Sequence, residues 1–111
     1  MAVALPPARP IDAVIKLGGD VLEGEALAAA AAEIARARAG RRLLVVHGGG
    51  PQATALARRL GIEPQIVAGR RITDDPMLAV VKRVISGLNV DLVAALRADG
   101  VPAFGVSAPA A

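Results

Sequence analysis

Two groups of glycines carry the clearest chemical signal in this sequence, and each follows a short apolar run. The first group is Gly18-Gly19 and the second is Gly48-Gly49-Gly50. Glycine leaves backbone amides uncovered, and amides at the start of a helix bind anions such as carboxylate or phosphate. A glycine triplet between an apolar run and a helical segment therefore predicts an anion site, although a merely tight turn would need the same glycines.

One lysine stands two residues before the first glycine pair. Lys16 lies within an otherwise apolar run, where a charged side chain is costly unless it emerges near an anion or reaches solvent at an edge. An ammonium group near an anion can neutralise the charge that develops on a phosphoryl group during its transfer. Lys16 is therefore a candidate catalytic residue, with a solvent-facing edge lysine as the alternative.

A pair of arginines, Arg70 and Arg71, follows a third short apolar run. A guanidinium group can bind a carboxylate through two parallel hydrogen bonds. One arginine of the pair could hold a substrate carboxylate while the other stays in solvent. Arginine pairs also occur at positions 41–42 and 58–59, so the pair alone is a weak indication.

The elements that must position these residues alternate between strand and helix. Apolar runs predict strands at residues 13–17, 43–46, 65–67 and 101–106. Helices are predicted at 24–39, at 51–60, and from an N-cap at Thr73 to Gly100, with Gly87 expected to weaken or bend the last one. This order is typical of an α/β fold with a mainly parallel sheet and helices on both faces. Both glycine groups fall at carboxyl ends of strands, where such sheets bind ligands.

Composition narrows the class of protein. The 111 residues include no cysteine and a single aromatic residue, Phe104, and the net charge is +3. The absence of cysteine excludes disulfides and cysteine-bound zinc. Basic residues without interleaved aromatic side chains argue against a nucleic-acid interface, and no apolar run reaches the roughly 20 residues of a membrane span. We therefore expect a cytoplasmic protein with no nucleic-acid or membrane partner.

The remaining motifs in the sequence are incomplete. His47 is the only histidine, so a metal site has no histidine or cysteine partner for it, and a structural role is the better expectation. The string His-Gly-Gly-Gly also forms an oxyanion loop in esterases, but the G-x-S-x-G elbow that those enzymes need is missing. Neither the dinucleotide-binding fingerprint nor the P-loop pattern is present.

Three segments stand together in this order: VIKLGG at 14–19, VVHGGGPQ at 45–52 and GRRITD at 69–74. They resemble the first half of the N-acetylglutamate kinases, of the amino-acid kinase family, and the likeness covers residues 13–106. The resemblance implies an amino-acid kinase-like fold, N-terminal half only. Residues 1–12 would be a loose N-terminal arm, residues 13–111 would be the acceptor-binding domain, and the C-terminal ATP-binding half would be absent.

The same resemblance implies an activity. These enzymes transfer the γ-phosphoryl group of ATP, with Mg²⁺, to the side-chain carboxylate of N-acetyl-L-glutamate in arginine biosynthesis. By resemblance, Lys16 would stabilise the transferring phosphoryl group. Gly49 and Gly50 would donate amides to the acceptor, with Gly19 opposite, and Arg71 would bind the α-carboxylate of the substrate. ATP and Mg²⁺ would be held mostly by the absent half, so we expect the 111-residue chain to be inactive alone.

The resemblance also bears on assembly and regulation. Arginine-inhibited members carry an extra N-terminal helix that builds a hexamer, and residues 1–10 are too short and proline-rich for one. We therefore expect a homodimer without strong arginine feedback, with the apolar stripe over residues 77–88 as its interface or, equally, as an ordinary core face. Two other functions stay open: a non-catalytic regulatory domain that senses an amino acid, and a kinase for a related acceptor such as an aminoadipate derivative. Retention of Lys16 and the glycine triplet favours the kinase.

Overall fold

The computed structural model describes residues 9–107 of the chain. Most of the expected N-terminal arm and the last four positions lie outside the described residues. Strands β1 (Ala13–Leu17) and β2 (Leu43–His47) pair in parallel, with Ile15 opposite Val45. Helix α1 (Gly24–Ala37) connects them, as the parallel pairing requires. The remaining elements are α2 (Gly50–Arg59), β3 (Gln65–Val67), β4 (Arg70–Ile72) and α3 (Asp75–Ala98).

The two faces of the β1–β2 sheet differ in burial. One face packs against a core built from the segment after β1 and from helices α1 and α3: Leu22, Ala31, Ile34, Leu88, Leu92 and Leu96. The opposite face carries Val14, Leu44 and Val46, whose exposed fractions are 63%, 48% and 45%. Because strand side chains alternate between faces, this division follows directly from the sequence register. The α/β class with a parallel sheet is confirmed, although the described helices leave this second face uncovered.

A second, smaller core lies between α2 and α3. Ala53 and Ala57 of α2 are buried against Met77 and Val80 of α3, and Val84 contacts both cores. The small alanine side chains let the two helix backbones approach closely. The apolar stripe over residues 77–88 therefore packs within the chain. This agrees with an ordinary core face and not with the predicted dimer interface.

Helix α3 starts one residue later than predicted and runs without a break. Asp74, and not Thr73, is its N-cap, and the Asp74 Oδ1 atom accepts a hydrogen bond from the Met77 amide at 3.0 Å. The helix passes through Gly87 and continues to Ala98. A glycine costs about 1 kcal/mol relative to alanine inside a helix, which the burial of Leu88, Leu92 and Leu96 offsets.

The third predicted strand forms, but its partner was not predicted. Strand β3 pairs antiparallel with β4 in a hairpin, whose two turn residues are Ala68 and Gly69 with φ values of 51° and 76°. A two-residue turn with positive φ at both positions matches the right-handed twist of the flanking strands. The sequence had predicted no strand between residue 67 and the N-cap of the last helix.

The predicted final strand at residues 101–106 does not form within the described chain. The Val101 amide donates to the Leu96 carbonyl at 3.0 Å, and the Ala103 amide donates to the Val101 carbonyl at 2.8 Å. Pro102 has no amide to donate. Because these local bonds use the donors that a sheet would need, the segment packs Val101 and Ala103 onto the core without strand pairing.

Candidate functional site

The two glycine turns meet at the carboxyl ends of β1 and β2. The Gly48 amide donates to the Leu17 carbonyl at 3.1 Å, which extends the strand pairing to the start of the second turn. A Cβ atom placed on Gly19 would lie 3.1 Å from the Gly49 Cα atom and 3.0 Å from the Pro51 Cδ atom. Both Gly19 and Gly49 are buried. Such an approach of two backbones is open only to glycine, so the turns form one compact feature.

Gly49 is also pressed against α3. A Cβ atom on Gly49 would lie 2.8 Å from the Cδ1 atoms of both Ile85 and Leu88, closer than real carbon contacts allow. Gly49 is the N-cap of α2 and supplies no side-chain acceptor to the first-turn amides. Pro51 has no amide hydrogen, and the Ala53 amide donates to the Gly49 carbonyl at 2.9 Å. The Gly50 and Gln52 amides, with the positive end of the helix dipole, are therefore the groups available to an anion.

Arg71 joins the hairpin to the second glycine turn. Its Nη2 atom donates to the Gly50 carbonyl at 2.9 Å and to the Thr54 hydroxyl at 2.5 Å. The Arg71 Nε atom is buried and has no partner among the described residues. The guanidinium group thus stands beside the start of α2 with donor capacity left over, as a carboxylate clamp requires. Neighbouring Arg70 is exposed.

Lys16 occupies a different position from the other predicted site residues. It is exposed on the outward face of the sheet, opposite Val46 and one residue before the end of β1. No ion pair involves Lys16 within residues 9–107. The structure thus brings Gly19, Gly49, Gly50 and Arg71 together and leaves the Lys16 ammonium group in solvent near the same end of the strand.

Gln52 is a neighbour of the site that the sequence analysis did not single out. Its Nε2 atom donates to the Gly19 carbonyl at 2.5 Å, while its Oε1 atom is buried and unpartnered among the described residues. An unsatisfied buried acceptor costs about 1–3 kcal/mol. Gln52 ends the VVHGGGPQ segment, but this contact was not predicted, because a glutamine in the first turn of a helix is ordinarily a surface residue.

His47 is held from both sides of its ring. Its Nδ1 atom lies 3.0 Å from the Gly48 carbonyl, and its Nε2 atom lies 3.1 Å from the Asn89 Nδ2 atom. Because a carbonyl accepts and an amide nitrogen donates, both contacts are satisfied when Nδ1 carries the proton. This arrangement agrees with a structural role for the only histidine, and it ties the glycine triplet to α3.

The described residues offer no metal centre and no membrane segment. Among residues 9–107, no three histidine, cysteine or acidic side chains are grouped so that they could hold a metal ion. Within the same range, every helix is too short or too polar to cross a bilayer.

Comparison with known proteins decides the family. The model of the amino acid kinase family matches residues 13–111. The chain belongs to the amino acid kinase family. The expected resemblance and the amino-acid kinase fold are thereby confirmed, and the match includes both glycine turns, Lys16 and Arg71.

Curated members of the amino acid kinase family give more detail. The chain is 55% identical over 102 residues to the acetylglutamate kinase of Sorangium cellulosum (strain So ce56), covering 87% of this chain and 36% of that protein. It is 50% identical over 95 residues to the acetylglutamate kinase of Anaeromyxobacter dehalogenans (strain 2CP-C), covering 84% of this chain and 35% of that protein. The chain therefore spans about a third of the length of the curated relatives it matches.

A related enzyme of known structure has a similar fold. N-acetylglutamate synthase from Neisseria gonorrhoeae, complexed with coenzyme A and N-acetyl-glutamate, matches with a TM-score of 0.72 and 30% identity over 83% of this chain and 22% of that one. The same synthase complexed with coenzyme A and L-arginine matches with a TM-score of 0.68 and 29% identity, over 88% of this chain and 23% of that one.

Proposed function

We propose that this chain is the acceptor-binding part of an ATP-dependent kinase that phosphorylates the side-chain carboxylate of N-acetyl-L-glutamate. The curated relatives that are 42–55% identical to it carry the name acetylglutamate kinase. One geometric observation carries the proposal: the two glycine turns meet at the strand ends through the buried residues Gly19 and Gly49, and the half-buried Arg71 is hydrogen-bonded beside them. That arrangement suits a ligand with one reacting carboxylate and one carboxylate to be clamped.

The proposed roles follow the chemistry of each group. The amides of Gly49 and Gly50 hold the reacting carboxylate and the phosphoryl group, and Gly19 faces them from the other strand. Arg71 binds the α-carboxylate through a charge-assisted hydrogen bond. Because its Nη2 atom already bonds the Gly50 carbonyl and Thr54, the position of Arg71 is fixed relative to the turn.

The reaction forms one bond and breaks another. A side-chain carboxylate oxygen attacks the γ-phosphorus atom of ATP, the bond from that phosphorus to the bridging β-phosphate oxygen breaks, and ADP leaves. Fixed amides and a cation act mainly by positioning and by stabilising spread negative charge. Lys16 would supply the cation, because its exposed ammonium group lies near the end of β1 without a competing ion pair in the described chain.

In the proposed reaction ATP is the co-substrate, and Mg²⁺ is the ion that accompanies it. The Mg²⁺ ion would be held mainly by the phosphates of ATP, as is usual where Mg²⁺ takes part in phosphoryl transfer. No step is therefore assigned to a metal held by this chain. The proposed division leaves most of the nucleotide contacts to residues beyond it.

The proposal is tested by an amide NMR titration of the chain with N-acetyl-L-glutamate. We expect shifts at Gly48, Gly49 and Gly50 and at Arg71. Arg71→Ala should weaken binding about tenfold to a hundredfold, because a charged hydrogen bond to the ligand is lost. Arg70→Ala is the matched control, since Arg70 is exposed, and it should leave the affinity unchanged.

Two results would count against the proposal. A folded spectrum that does not respond to N-acetyl-L-glutamate would remove the acceptor site from this chain. Equal losses in Arg71→Ala and Arg70→Ala would indicate nonspecific attraction of an anion to basic surface, and would take Arg71 out of the site. Titration with N-acetyl-L-2-aminoadipate in parallel separates the proposed acceptor from its longer homologue.

A regulatory role is the second candidate function. The observation that favours it is the match to an N-acetylglutamate synthase whose structure was solved with coenzyme A and L-arginine. A sensing domain would respond to L-arginine and would not need Lys16. Saturable shifts with L-arginine, together with none from N-acetyl-L-glutamate, would select this role.

We also propose a homodimer in the cytoplasm, as suits a biosynthetic kinase of small molecules. The stripe over residues 77–88 no longer supports the dimer, because Met77 and Val80 are buried within the chain. Sedimentation equilibrium at micromolar concentration tests the assembly directly. A clean monomer would contradict the dimer and would leave the site proposal untouched.

A further inference from the structure

We propose that Gln52 is a positioning residue that ties the two glycine turns together and sets the gap between them. The role of this gap in binding rests on the proposed function, while the tie itself is a property of the fold. Gln52 follows Gly50 and Pro51 in the first turn of α2. Its side chain reaches across to the turn that ends β1.

The contact joins backbone segments that are far apart in sequence. The Gln52 Nε2 atom donates to the Gly19 carbonyl at 2.5 Å across 33 residues. At the same place the Gly49 Cα atom would lie 3.1 Å from a Cβ atom on Gly19. The hydrogen bond therefore spans the point where the two turns are closest.

The local geometry explains why a glutamine fills this position. A Cβ atom on Gly19 would lie 2.6 Å from the Gln52 Oε1 atom, so the amide group occupies the space that a side chain on Gly19 would need. The Oε1 atom is buried without a partner in the described chain, so Nε2 alone holds the side chain in place. Glutamate would present an oxygen to the Gly19 carbonyl, and methionine would present no donor. Either change removes the whole attachment.

The attachment matters for a ligand that contacts both turns at once. Gly19, in the turn after β1, and Gly49, in the turn after β2, are proposed to face the transferring group from opposite sides. The distance between the two turns therefore determines whether both residues can reach that group. Fixed donors contribute to binding and catalysis only when they are held at the correct distance. Gln52 acts through the two turns and not by contact with the substrate.

The tie is tested without any ligand by hydrogen exchange of side-chain amides. Gln52 and Gln65 are the two glutamines of the sequence, and Gln65 is exposed on β3. We expect the Gln52 side-chain amide protons to exchange at least about tenfold more slowly than those of Gln65, because one of them is engaged in a partly buried bond. Equal exchange rates for the two side chains would overturn the proposal.

A second measurement tests the consequence of the tie. Gln52→Met should weaken N-acetyl-L-glutamate binding about tenfold, with amide shift changes confined to the two turns, whereas Gln65→Met should bind as the unaltered chain does. Unchanged affinity in Gln52→Met, or shift changes spread through α1 and α3, would overturn the positioning role. If the unaltered chain does not bind the ligand, the proposed function fails, but the side-chain exchange rates still test the hydrogen bond from Gln52 to Gly19. The same exchange rates test that bond if Gln52→Met fails to fold.

Discussion

The glycine turns and the β3–β4 hairpin contribute to the same proposed site, but they are held in place in different ways. Gly19 and Gly49 are buried and contact each other, α2 and α3. In the hairpin, every strand residue except Arg71 is exposed, and the Arg71 side chain bonds the start of α2. The reacting end of a ligand would thus meet fixed backbone amides, while its distant carboxylate would meet a long side chain on a lightly anchored hairpin.

This difference matches what each end must do. Stabilising a transferring phosphoryl group requires donors that do not reorganise during the reaction. Clamping a carboxylate requires a strong charged hydrogen bond, which a long side chain can supply from a less rigid support. Substitution of the turn glycines should therefore affect folding or turnover, and substitution of Arg71 in the hairpin should affect affinity.

The largest expected effect is on turnover and concerns Lys16. In a fusion of this chain to the C-terminal part of the Sorangium cellulosum relative, Lys16→Ala should lower kcat about a hundredfold or more, because a cation at the transferring group is lost. The KM for N-acetyl-L-glutamate should change far less. Lys82, the other lysine of the sequence, is exposed on α3 and provides the control Lys82→Ala.

Equal losses in kcat and substrate affinity would contradict a transition-state role for Lys16. Because the side chain is exposed, the melting temperature of the Lys16→Ala fusion should match that of the parent. A large drop in melting temperature would mean that Lys16 supports the fold and would weaken the contrast between the two regions.

The next effect is on stability and concerns Gly49. Gly49→Ala should lower the free energy of unfolding by about 1–3 kcal/mol, because the added methyl group overpacks the contact with Ile85 and Leu88. Chemical denaturation of the chain measures this. Gly87→Ala is the matched control: Gly87 lies on α3 between Ile85 and Leu88, with open space where a side chain would be placed, and the change should stabilise the chain by about 1 kcal/mol. Similar changes in both variants would show that the turn is not tightly packed.

The smallest effect concerns the hairpin turn. Ala68 has a φ of 51°, a conformation that alanine adopts reluctantly. Ala68→Asn should raise stability by a few tenths of a kcal/mol, because asparagine followed by glycine is the preferred pair in this turn. Equilibrium denaturation checks the sign. If the hairpin unfolds before the rest of the chain, the stabilisation by Ala68→Asn will appear as slower hydrogen exchange of the amides in β3 and β4. That result would show directly that the hairpin is less firmly held than the glycine turns.

The sequence predicted those parts of the fold whose signals are local. Apolar runs that end in glycine located β1 and β2, and helix-forming composition located the three helices. The β3–β4 hairpin was missed because Ala68-Gly69 lacks the usual asparagine. The strand expected at residues 101–106 did not form because the Val101 and Ala103 amides donate to local carbonyls, which the apolar pattern of the segment does not reveal.

The site shows the same limit. Glycines at two strand ends predicted the meeting of Gly19 and Gly49, because strand ends converge at one edge of a parallel sheet. The choice of Arg71 over Arg70 came from the resemblance and not from spacing, and its hydrogen bond to the Gly50 carbonyl was not predicted. The Gln52 contact and the Asn89 contact to His47 were not predicted, since each depends on where a side chain lies across 33 or 42 residues of chain.

The uncovered face of the β1–β2 sheet has a practical consequence for every experiment on this chain. Val14, Leu44 and Val46 form an apolar surface between two strand edges that have no partner within residues 9–107, and a net charge of +3 gives modest colloidal repulsion. Exposed edges beside apolar side chains promote aggregation through backbone pairing. We expect the isolated chain to precipitate as its concentration rises. Leu44→Lys, which faces Val14 across the sheet and not Lys16, should keep it dispersed while leaving the glycine turns as they are.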